Sequence, residues 1–150
     1  MARILMVEDV LDIGAYEASL LQADGHEVAL CRGAPGPFAH CPLMRDGSCW
    51  LVDAADLVVF SCALHAPVGQ QRFRGHELLR AYRAHAAYGA KPFVVVSLSP
   101  PGDLPGTGRV EWVHKFSPPR ALVAAVEAAI EEAVGEQPAV PLDARGGDRS

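Results

Sequence analysis

The chain of 150 residues lacks the features that mark most specialised protein classes. Its 13 Lys and Arg are scattered and outnumbered by 18 Asp and Glu, so nothing electrostatic favours nucleic acid or an anionic membrane as partner. No apolar run approaches the roughly 18 residues that a membrane helix needs. Residues 1–7 enter a strand pattern directly, without a signal-peptide profile, and the expected location is the cytoplasm. Its four cysteines would normally be reduced there, which argues against a structural disulfide. No internal repeat, glycine-rich phosphate loop or G-x-S-x-G elbow occurs, leaving nucleotide binding and serine hydrolysis without a motif.

What is present is alternation. Three near-continuous apolar runs, "RILMV" (3–7), "LVVF" (57–60) and "PFVVVSL" (92–98), read as parallel strands buried on both faces. "HEVALC" (26–31) and "VEWVH" (110–114) supply a fourth and a fifth. Helical patterns fall at 11–24, with Leu11, Tyr16, Leu20 and Leu21 on one face, at 75–89, with Leu78, Leu79, Tyr82 and Ala86 in one stripe, and at 118–134. Strands alternating with helices predict a doubly wound parallel α/β sheet in one domain, residues 1–135, followed by a disordered tail, 136–150. Two connections break the pattern. Residues 32–54 are rich in Pro and Gly, so any second helix is short or late. "SPPGDLPGTGR" (99–109) cannot be a helix and is expected to be a mobile loop.

The order "RILMVEDV", helix, "DGHEVALC", "ADLVVFS", "GHELLRAYR", "KPFVVVS", "HKFSPPRALVAAV" resembles the receiver domain of bacterial response regulators over about residues 2–134. The resemblance implies a flavodoxin-like sheet of five parallel strands in order 2-1-3-4-5, here with the second and fourth helices shortened or replaced by loops. In that family an acid pair binds Mg²⁺ beside an aspartate that ends the third strand and accepts a phosphoryl group. A Ser or Thr ends the fourth strand and a Lys the fifth. Glu8 and Asp9 match the acid pair, and Ser97 matches the hydroxyl. The lysine position falls on His114 or Lys115, and the ammonium charge favours Lys115.

The acceptor position is Ser61. Asp56 is no substitute, since it lies at the other end of the strand, about 16 Å away at the rise of an extended chain. A serine there has no activating base in view, and the lost carboxylate is also a lost ligand, so Mg²⁺ should bind weakly or not at all. The expectation is a stand-alone, non-enzymatic signalling module that acts by contact with a protein partner and without aspartyl phosphorylation. A homodimer is compatible with it.

The cysteines leave a second function open, a metal or redox sensor. The spacing C-x9-C-x7-C matches no standard zinc or iron–sulfur pattern. Yet Cys31, Cys41 and Cys49, with His40, Cys62 and His65, all fall towards the carboxyl rim of the sheet. Buried thiols are one reading. A zinc or iron–sulfur site from Cys31, His40, Cys41 and Cys49, with Cys62 as an alternative fourth ligand, is another, and a Cys41–Cys49 disulfide a third. Trp50, next to Cys49, reads as a core anchor. A flavin enzyme is disfavoured because "EDVLDIG" is acidic where a phosphate would sit.

Overall fold

The structure, a computed structural model, describes residues 1–8, 11–31, 42–61 and 75–136. In chain order the elements are β1 (Arg3–Glu8), α1 (Leu11–Ala23), β2 (Glu27–Cys31), α2 (Pro42–Asp46), α3 (Trp50–Ala54), β3 (Leu57–Ser61), α4 (Gly75–Ala84), β4 (Phe93–Ser97), β5 (Val110–His114) and α5 (Pro119–Glu136). All strand pairs are parallel, in the order β2-β1-β3-β4-β5. The apolar runs predicted this. In β3 and β4 every residue is buried, because helices cover both faces of the central strands.

Side-chain alternation along the strands divides the interior into two layers. Ile4, Met6, Val59, Val94 and Val96 face α1 and α5, where Leu21, Leu122 and Val126 complete the packing. Leu5, Val7, Val58, Phe60, Phe93 and Val95 face Leu43, Val52, Leu78, Leu79 and Tyr82 from α2, α3 and α4. Among the described residues no helix is long and apolar enough to cross a membrane.

The connection between β2 and β3 holds two helices of one turn or so, α2 and α3, as its Pro and Gly content suggested. Trp50 is not the core anchor expected. It is 71% exposed at the first position of α3, and the buried residue of that helix is Val52. The stripe expected on the next helix also ends early: α4 stops at Ala84 and Ala86 is exposed beyond it.

Between β4 and β5 there is no helix, yet the Pro/Gly segment is tied down. Arg83, only 2% exposed, donates from Nε to the Pro105 carbonyl (3.0 Å), from Nη1 to Lys91 (3.0 Å) and from Nη2 to Gly108 (2.6 Å). The Thr107 and Gly108 amides both donate to the Gly89 carbonyl. Gly106 makes this approach possible, with φ at +98° and no room for a Cβ against Arg83 and Gly89. A buried guanidinium thus supplies the donors that the prolines cannot.

Candidate functional site at the strand ends

Glu8 ends β1 and Ser61 ends β3, and the parallel register sets them side by side. Neither has any exposed surface. Helix α1 crosses above them at close range. A Cβ on Gly14 would lie 3.1 Å from Glu8 Cβ and Cγ and 3.0 Å from Leu30 Cδ1, a tight fit that glycine relieves. Three residues on, on the same helical face, Glu17 is 8% exposed, and its Oε1 accepts a hydrogen bond from Ser61 Oγ at 3.2 Å. Glu17 is also hydrogen-bonded to Glu8.

Burial pushes the Glu17 carboxyl above the ordinary carboxylate range, while the bonds from Glu8 and Ser61 and the charge of Lys115 pull it back.

Outside this buried cluster opens a cavity of about 290 Å³. Ile13, Tyr16 and Leu20 of α1 form one wall, and Phe116, Pro118 and Leu122 form another. Glu17, Ser61, His114 and Lys115 also line it. Ser97 does not present a free hydroxyl: Oγ donates to the Ser99 carbonyl (2.6 Å) and accepts from Trp112 Nε1 (3.1 Å). The Lys115 amide donates to the Ser97 carbonyl (2.9 Å), which holds the ends of β4 and β5 together beside the cavity.

Solved structures with this arrangement of strands and helices include chemotaxis and response-regulator proteins. Chemotaxis protein CheY4 of Vibrio cholerae matches with a TM-score of 0.58 at 18% identity, over 86% of this chain and 98% of that one. A response regulator receiver domain protein from Clostridium thermocellum matches with a TM-score of 0.60 at 20% identity, over 89% and 97%. The receiver domain of NtrX from Brucella abortus gives 0.58 at 22% identity, over 85% and 98%. The fold is the receiver fold. No family model and no curated protein matches the sequence.

In the receiver fold this cluster lies at the switch point of the strand order, where β1 has β2 on one side and β3 on the other. The described residues offer a poor set for the Mg²⁺ that the fold's family binds there. Mg²⁺ needs several hard oxygens in near-octahedral geometry. Here the Ser61 hydroxyl is neutral and directed at Glu17, and the Glu8 carboxyl is bonded to another acid. Among the described residues no group of three or more His, Cys, Asp or Glu is placed to hold a metal ion. Asp9 lies outside the described residues.

Of the residues singled out in the sequence, Glu8, Ser61 and Lys115 come together, Ser97 turns aside, and His114 is exposed at the cavity, its Nδ1 accepting from the Phe116 amide. Glu17 was not anticipated. The signal was there: Gly14, Glu17, Ala18 and Leu21 are buried at spacings of three and four, which puts an acid in the inward stripe. The stripe through Tyr16 and Leu20 points about one residue away, and Tyr16 is 53% exposed.

The cysteines divide. Cys49 is a free, buried thiol, and half-buried Cys31 packs against the same core layer. His40, Cys41, Cys62 and His65 lie outside the described residues, and with them the metal and disulfide readings.

Proposed function

We propose that this receiver-fold protein is a signalling module that works by contact with a protein partner, without phosphoryl transfer at the strand-end position and without catalysis of its own. One observation carries the reading: the side chain at the end of β3 is a buried serine whose hydroxyl already donates to Glu17. Phosphoryl transfer at this position depends on a carboxylate that both accepts the group and helps hold a cation, and a buried neutral hydroxyl committed to Glu17 does neither. The surface supports contact as the mode of action. With no helix after β4, Trp112 (39% exposed) is left partly uncovered, and its ring meets that of His114, which in turn meets that of Phe116 (80% exposed). Large apolar side chains grouped on a surface mark interaction sites. Incubation with a small phosphodonor and Mg²⁺, followed by intact mass, is expected to show no phosphate adduct. An adduct mapped to Ser61 would overturn the reading.

A further inference from the structure

We infer that Glu17 is a built-in occupant of the strand-end pocket: carried in on α1, its carboxyl group fills the space beside Glu8 and Ser61 that a divalent cation would take. The inference rests on the reading of the pocket as non-phosphorylating and gives it a structural cause. A third acid near a cation site would ordinarily be counted as another ligand. Three features make this one a plug. Glu17 is itself buried against the ends of β1 and β3, so its carboxyl takes up the room in which a cation would need several oxygens about 2.0–2.1 Å away. The one polar hydrogen of Ser61 is spent on Glu17 as well. Finally, Lys115 already supplies positive charge to Glu17 from the open side.

The helix is also held in place. Gly14 faces Glu8 and Leu30 with little room between, so α1 lies close over the strand ends, and a ligand entering beside Glu8 would swing Glu17 outward into the cavity. Occupation of the pocket is therefore coupled to the α1 surface that carries Ile13 and Tyr16, both exposed at the cavity wall.

The test compares the full chain with Glu17→Ala and Glu17→Gln, titrating Mg²⁺ by calorimetry. The glutamine keeps an acceptor for Ser61 and gains a donor for Glu8, so it should keep the pocket filled. Wild type and Glu17→Gln are expected to show no saturable binding at millimolar Mg²⁺. Glu17→Ala should bind roughly tenfold tighter or better, because affinity is reduced by the fraction of molecules whose site is open. Saturation of the wild type below millimolar Mg²⁺, an alanine variant no tighter than wild type, or a glutamine variant that binds like alanine would each overturn the inference. Should Glu17→Ala fail to fold, hydrogen exchange of the wild type decides: millimolar Mg²⁺ should leave the amides of α1 and Ser61 unchanged, and altered protection there counts against the plug. Tight Mg²⁺ binding strikes this inference alone, whereas phosphate on Ser61 strikes the functional reading.

Discussion

Arg83 lies over the ring of Phe93, its guanidinium carbon 5.0 Å from the ring centre, and from there reaches three backbone carbonyls of the segments that flank β4. The planar fork of an arginine suits this role and an ammonium does not. Burial lowers the pKa of the group, but a guanidinium remains charged at any pH the fold survives. Arg83→Ala should therefore lose about 3 kcal/mol or more in urea unfolding, since carbonyls are left without their charged donor. Arg83→Lys should recover less than half. In hydrogen exchange the Thr107 and Gly108 amides should be protected in the wild type and open in the alanine variant.

Ser61→Asp is the substitution that restores a carboxylate at the end of β3. Here it places a third acid beside Glu8 and Glu17, in a site with no exposed surface at Glu8 or Ser61. An uncompensated buried charge costs about 3–5 kcal/mol. The variant should be destabilised by that order at neutral pH and by less in mild acid, where the new group takes up a proton. Equal loss at both pH values would mean that sterics, not charge, cause it.

The pH dependence of wild type against Glu17→Gln follows from the raised pKa of Glu17. In the unfolded chain the carboxyl loses its proton around 4.5; in the folded chain it holds it to higher pH. Above the unfolded value the folded state binds more protons, so rising pH costs stability until the folded value is passed, and the loss then levels off. Glu17→Gln has no proton to lose. Relative to wild type it should gain stability from about pH 4 upwards and hold the gain at neutral pH. A difference independent of pH would show that Glu17 titrates normally.

Cys49 packs in the layer with Leu43, Val52 and Tyr88; its backbone amide donates to the Tyr88 hydroxyl (2.9 Å), which spends its own proton on Asp53 Oδ1 at 2.6 Å. If its thiol serves as a small hydrophobe, Cys49→Ala should cost less than Cys49→Ser, because a buried hydroxyl without a partner costs about 1–3 kcal/mol. Zinc and iron measured on protein purified without oxygen give the complementary check. Stoichiometric metal that is lost in both variants would assign the thiol to a metal site instead.

The strands, their parallel sheet and its order were legible in the sequence, the first two from periodicity and the last through the resemblance. A buried strand such as "LVVFS" must be apolar on both faces whatever surrounds it, so its composition alone reveals it. The serine that ends β3 was equally plain, because strand ends are set by where the apolar run stops. The tertiary structure decided the rest. Arg83 looks like an ordinary surface residue of a helix until the chain beyond β4 folds back and offers it two carbonyls beside that of Lys91. Trp50 looks like a core residue until α3 proves too short to bury more than Val52. Glu17 shows the limit best. Its spacing from Gly14 and Leu21 marks the inward face, but that this face lies over Ser61 depends on how low α1 sits on β1. Gly14, with little room between it and Glu8 and Leu30, permits that height, an arrangement between segments that no local pattern contains.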